Sequence, residues 1–205
     1  MASLQESLPR YLYTSRMALE LFDYSPAHYD CLLASLNTPT AYAEMGDYKM
    51  RTPAQLNVLA HATRLHPSAV GGRKIDIDLY YMLHLGGVGG PLMGTVTLAQ
   101  RDSTTSPDLG WAILEEYMGK GYAVEAGREV LRFLTEDFGI KEIIAWPKVS
   151  NKRSHRVAEE IGFLEGGVVG DEKGEAHKVY ILPAMEFDTS NPLSIWGTHG
   201  GIGSP

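Results

Sequence analysis

Residues 115–126, EEYMGKGYAVEA, constrain the fold of this chain more than any other stretch. Two glycines bracket Lys120, an apolar run (LGWAIL) leads into them, and a run of helix formers follows. Glycine is costly inside regular structure and useful where a backbone must turn left-handed or come close to something. A strand that ends in such a turn and opens a helix leaves free backbone N–H groups at the positive end of the helix dipole. An anion, and above all a phosphate, is the natural guest there. Two common phosphate motifs do not fit. A P-loop requires Ser or Thr after its lysine, and Lys120 is followed by Gly121. A dinucleotide fingerprint requires a third glycine where Val124 stands, and it belongs to a parallel βαβ unit. A tight turn with no ligand is the plain alternative for a bare Gly-x-Gly.

The rest of the chain alternates strands and helices. YLYTSRMALELF alternates and carries aromatics and leucines, which predicts a first strand. Ser25-Pro26 and Thr52-Pro53 are helix starts, with a hydroxyl at the cap and proline at the first helical position. IDIDLYYMLHL (75–85) and LMGTVTLAQRD (92–102), joined by GGVGGP, predict an antiparallel hairpin. LGWAIL (109–114) is the next strand. After Gly121 the period becomes helical, with Ala123, Ala126, Val130, Leu131 and Leu134 on one face and a stop at Phe138-Gly139. EIIAW has the continuous apolarity of a buried central strand. Residues 151–161 form a further helix, and VYILPAMEF (179–187) a late strand. This order predicts an α/β fold with a mixed, mainly antiparallel sheet flanked by helices. One domain is expected over residues 1–187 and a polar, glycine-rich tail over 188–205.

At 205 residues the chain has room for one sizeable core. Its net charge of -7 argues against a general nucleic-acid role. The single cysteine, Cys31, excludes an intramolecular disulfide and sits among apolar residues, as a small buried hydrophobe does. No apolar run approaches the roughly 20 residues of a membrane span, and the N-terminus lacks the apolar core of a secretory signal. A cytoplasmic protein without a membrane partner is expected. No His, Cys, Asp and Glu residues have metal-ligand spacing, so no metal is expected. Monomer and homodimer both stay open.

The stretch LGWAILEEYMGKGYAVEA resembles the acyl-CoA pyrophosphate loop of the GNAT N-acetyltransferase superfamily. The family pattern, Gln/Arg-x-x-Gly-x-Gly/Ala after a strand, falls on Met118, Gly119, Lys120, Gly121, Tyr122 and Ala123, with Met118 where Gln or Arg is usual. NKRSHRVAEEIGF (151–163) is similar to the family's Asn-x-x-Ser-x-Arg-Val-x-Glu-x-x-Gly-Phe, and LYTSRMALELF to the opening strand of the branch that includes the ribosomal-protein N-terminal acetyltransferases. The resemblance runs in order from about Tyr11 to Phe187.

It implies a GNAT fold and acetyl transfer from acetyl-CoA, as co-substrate, to a primary amine of a small molecule or peptide. A longer acyl-CoA, or a non-catalytic acyl-CoA sensor, is the alternative. The backbone around Ile113, Leu114 and Glu115 is implied to pair with the pantetheine arm and hold the thioester oxygen. Asn151 is implied to touch the CoA arm; read alone, it caps a helix. Ser154 is the implied proton donor to the leaving sulfur, or else an ordinary first-turn residue. Many relatives place a tyrosine acid where this chain has Ala158, which shifts weight to Ser154 or water. Asp108 is the candidate base, or simply the end of the TTSP loop. Glu115 and Glu116 read as solvated, His155 as pointing elsewhere, and His84 as a core residue in preference to a cleft one.

Overall fold

The computed structural model describes residues 8–72, 78–190 and 192–193. The first predicted strand is a hairpin, not one run. β1 (Tyr11–Tyr13) turns through residues 14–16 into β2 (Met17–Leu21), and the Thr14 N–H donates to Met17 O at 3.0 Å. The two predicted helix starts hold. In α1 (Pro26–Leu36) Ser25 caps the His28 N–H, and in α3 (Pro53–Ala62) Thr52 and Gln55 form a reciprocal capping box. A third helix, α2 (Pro39–Met45), lies between them and was not predicted. It opens with the same chemistry, a Thr38 cap followed by Pro39.

β3 (Leu79–Leu85) and β4 (Leu92–Ala99) form the expected hairpin, and β5 (Asp108–Ile113) follows antiparallel to β4. Residues 75–77 of the predicted strand lie outside the described residues. A 3₁₀ turn, Glu115–Tyr117, then leads to α4 (Tyr122–Arg132), which continues as a π-turn over Phe133–Asp137. β6 (Ile144–Ala145) and α5 (Lys152–Ile161) come next. The chain ends its sheet with β7 (Leu164–Gly170), which was not predicted, and β8 (Ala176–Ile181), which starts and stops earlier than expected.

The sheet order is β1-β2-β3-β4-β5-β6-β8-β7. Every neighbouring pair is antiparallel except β5 and β6, which meet in parallel at Asp108↔Ile144 and then separate. One face, carrying Leu19, Leu83 and Val96, packs under α4 and α5, and the other, carrying Phe22, Tyr80 and Met82, packs under α1 and α3. Each fully buried leucine or valine here contributes about 1.5–3 kcal/mol by leaving water. Within the segment 188–205 expected as a tail, Leu193 is instead buried. It packs with Val169 and Val179, and its N–H donates to Gly170 O at 3.0 Å. Residues from 194 onward lie outside the described residues.

Candidate active site

The separation of β5 from β6 creates the site. Leu114 N–H donates to Met93 O at 2.8 Å, toward β4. Successive N–H groups of an extended strand point to opposite sides. The N–H groups of Ile113 and Trp111 therefore face away from β4, into the gap.

The glycine loop stands at one end of that gap. Gly119 and Gly121 both adopt left-handed backbone, with φ of +73° and +79°. Gly121 is the N-cap of α4 and offers no side chain, so the first-turn N–H groups are left to an external partner. Glu125, in that first turn, is bonded sideways to Ser15 and Arg16 of the first hairpin, and Arg16 also donates to Lys120 O at 2.9 Å. The hairpin thus braces the loop from behind. Lys120 Nζ donates to Glu116 O at 2.8 Å. Met118, where the family pattern has Gln or Arg, has a guanidinium beside it all the same: Arg153 Nη1 lies 3.6 Å from Met118 Sδ. This fits a pyrophosphate, with backbone donors in an open, glycine-lined turn and cations from Lys120 and Arg153 nearby.

At the other end is a cleft of about 200 Å³, walled by α1, α2, α3, β4 and β5. Asp108, Trp111, Asn151 and Ser154 all line it. Asn151 caps α5 by accepting the Ser154 N–H at 3.0 Å, which fixes the start of the helix and the place of Ser154. Trp111 Nε1 donates to Ser154 Oγ at 3.3 Å. An indole can only donate, so the Ser154 hydroxyl accepts from it and keeps its own hydrogen for another acceptor.

Asp108 is not a solvated loop end. It opens β5, is buried, and accepts from Arg101 Nε at 3.1 Å. Burial works against the Arg101 charge, but the Asp108 carboxylate outweighs it and holds the guanidinium above its ordinary value. Arg101 in turn lies 4.9 Å from the Trp146 ring. Glu115 is exposed at the gap's edge, and hydrogen bonding from Thr40 of α2 holds its carboxyl below the usual range. Glu116 is exposed on the same turn. His155 points away, buried between Tyr180 Oη and Val149 O at 3.1 Å each. Ala158 is fully buried under the core. Cys31 is buried, and burial pushes its thiol up to about 11, so it is no nucleophile at neutral pH.

Three members of this site are not among the residues the sequence singles out. Trp111 bonds the hydroxyl of Ser154, Arg101 donates to the Asp108 carboxylate, and Arg153 stands beside Met118. The one available cue was an arginine just past the end of an apolar strand, at Arg101.

The chain belongs to the GNAT acetyltransferase family, whose fold this strand order and helix placement share. Residues 19–164 match the family model described as an acetyltransferase (GNAT) domain. Among curated relatives, YdaF of Bacillus subtilis (strain 168), provisionally named a ribosomal N-acetyltransferase, is 31% identical over 83 residues. That match covers 40% of this chain and 45% of YdaF, so the chain spans about half the length of the relative. Among solved structures, an acetyltransferase from Agrobacterium tumefaciens str. C58 superposes with a TM-score of 0.66 at 22% identity, over 85% of this chain and 94% of that one. The microcin C7 self-immunity acetyltransferase MccE, solved with acetyl-CoA and AMP, superposes with a TM-score of 0.61 at 16% identity, over 82% and 92%. At these identities the likeness is one of fold.

Proposed function

We propose that the protein transfers an acetyl group from acetyl-CoA directly to a primary amine of a small molecule or peptide. The observation that carries this reading is the β5–β6 gap, which runs from the uncapped N-terminus of α4 to the side-chain cleft. The family match and the acetyl-CoA bound in MccE support it.

In this reading the N–H groups of residues 119–123 bind the pyrophosphate, with Lys120 and Arg153 adding positive charge. Leu114 and Glu115 flank the pantetheine arm, and Asn151 places α5 beside it. The Ile113 N–H polarises the thioester carbonyl, where negative charge develops. The thioester supplies the acetyl group; the amine nitrogen forms the new bond to carbon as the carbon–sulfur bond breaks. Proton traffic falls to side chains. Asp108, directly or through water, takes the proton of the incoming ammonium. Ser154 gives its hydroxyl proton to the sulfur and regains one from the nitrogen. Residues 1–187 act as a single domain. The protein works in the cytoplasm, where acetyl-CoA is available, and no helix among the described residues is long and apolar enough to cross a membrane.

A thiol-release assay with acetyl-CoA and a panel of amines tests the proposal. Release that depends on both substrates is the expected result. Tight acetyl-CoA binding with no release for any amine would indicate a sensor. Release only with longer acyl-CoA would change the donor.

A further inference from the structure

Outside the cleft, three buried residues from distant parts of the sequence converge. Glu20 of β2 and His84 of β3 share a face of the sheet, since the register pairs Ala18 with His84 and Glu20 with Met82. α1 brings His28 over them. Glu20 Oε2 lies 3.1 Å from His84 Nε2 and 3.7 Å from His28 Nε2. One ligand atom from each residue lies within 4.8 Å of the other two. Ligands bound tetrahedrally at zinc distances of about 2.0–2.1 Å stand about 3.3 Å apart, so the three atoms are close to a coordination shell.

The proton on His84 points the same way. His84 Nδ1 lies 3.0 Å from Gly90 O, a carbonyl that can only accept, so the hydrogen is on Nδ1. Nε2 then turns a lone pair toward Glu20. It is within ion-pair distance of that carboxylate yet makes no hydrogen bond to it, and the missing bond is the telling fact. Around His28, Nδ1 has Asp23 Oδ1 at 2.7 Å and the Asp23 backbone N–H at 3.2 Å. The hydrogen bond made is the one from the Asp23 N–H, so Nδ1 accepts and Nε2 carries the hydrogen toward Glu20; a cation bound at Nε2 displaces that proton, and Nδ1–H then has the Asp23 carboxylate beside it to donate to. The far oxygen of Glu20 is held by Arg10 at 3.0 and 2.8 Å and by Tyr11 at 2.8 Å. Each of the three side chains is thus anchored from behind, as ligands to a metal are when a carboxylate or carbonyl fixes their tautomer and aim. The Asp171–His177 pair differs, because its 3.0 Å contact is a proper hydrogen bond.

We propose that Glu20, His28 and His84 bind one divalent transition-metal cation of the zinc class through two imidazoles and one carboxylate, with water in the fourth position. The cation ties β2, α1 and the end of β3 together. α1 also carries Leu32 and Leu36 into the cleft wall, so the metal sets the position of the acceptor side and takes no part in the chemistry.

The test uses the untagged full chain, freed of metal with a chelator and titrated with Co²⁺, then Zn²⁺. The expected result is one equivalent of Co²⁺ with the intense visible bands of tetrahedral coordination, displaced by Zn²⁺ and raising Tm. His84→Gln should weaken binding by more than about 100-fold, and Asp23→Asn by about 10–100-fold, the usual effect of losing an orienting partner. His177→Gln should leave the titration unchanged. Absence of saturable, one-equivalent binding in the wild type would overturn the proposal, as would a folded His84→Gln that binds normally. If His84→Gln does not fold, the wild-type titration and Asp23→Asn still decide.

Discussion

The glycine loop and the side-chain cleft lie at opposite ends of the β5–β6 gap and are made of different materials. The loop works through its backbone: two left-handed glycines, an uncapped helix start and a brace from the first hairpin. The cleft works through side chains drawn from α1, α2, α3, β4, β5 and α5. A backbone site depends on a few contiguous residues and tolerates exchange of side chains. A side-chain site depends on tertiary convergence, and its specificity follows its lining. The loop should therefore be sensitive to changes in glycine alone, and the cleft to changes in individual polar groups.

The largest effect should come from the loop. Gly121→Glu places a side chain and a negative charge at the backbone N–H groups proposed to bind the pyrophosphate, at a φ of +79° that strains any L residue. Calorimetric titration should show acetyl-CoA binding lost in a protein that keeps its circular dichroism spectrum. Unchanged affinity in the folded variant would break the comparison at its root.

Next comes Ser154→Ala. It should lower kcat by about 10²–10⁴-fold with little change in KM for acetyl-CoA, because a proton donor acts in the transition state. Activity within about twofold of wild type would leave water as the acid.

Asp108→Asn is expected to reduce kcat/KM at neutral pH, with the loss shrinking as pH rises. An alkylamine has a pKa near 10.4, so at high pH it arrives neutral and needs no base. A loss that is uniform across pH would assign Asp108 to positioning, through its pair with Arg101.

Arg153→Ala should weaken acetyl-CoA binding by only about two- to fivefold at low salt, since Arg153 is exposed and shares its charge with Glu44. The deficit should fade as salt is added.

The smallest effect concerns stability. Burial raises the Asp171 carboxyl, but hydrogen bonds from His177 and the Glu175 and Lys173 N–H groups outweigh it and hold the group below its ordinary value. A depressed carboxyl stabilises the fold above the ordinary value, near pH 4, and the contribution is lost as pH falls below it. Tm of the wild type should drop more steeply in that acid range than Tm of Asp171→Asn.

The same contrast explains what the sequence could convey. The strand, the two glycines and the helix face after Gly121 are local, and so are the caps at Ser25 and Thr52; all were legible. α2 carries the same start signal, Thr38-Pro39, but its 7 residues are too few to show a helical apolar period. β7 was hidden by its composition: LEGGVVG is rich in glycine, exposes Leu164 and Val168, and lacks alternation. The split between β1 and β2 was hidden because the run reads as continuous alternation. In the cleft, Asn151, Ser154 and Asp108 could be placed through motif resemblance. Their partners Trp111 and Arg101, like the Glu20–His28–His84 cluster, come together only through sheet register and helix packing, which no spacing in the chain records.

A crystal structure of the complex with acetyl-CoA tests the central claim most directly. The account predicts pyrophosphate oxygens within hydrogen-bond distance of the backbone N–H groups of residues 119–123. It predicts the pantetheine arm between β5 and β6, the thioester oxygen at the Ile113 N–H, and the sulfur beside Ser154 Oγ. Acetyl-CoA seated elsewhere, with its phosphates away from the start of α4, would contradict it.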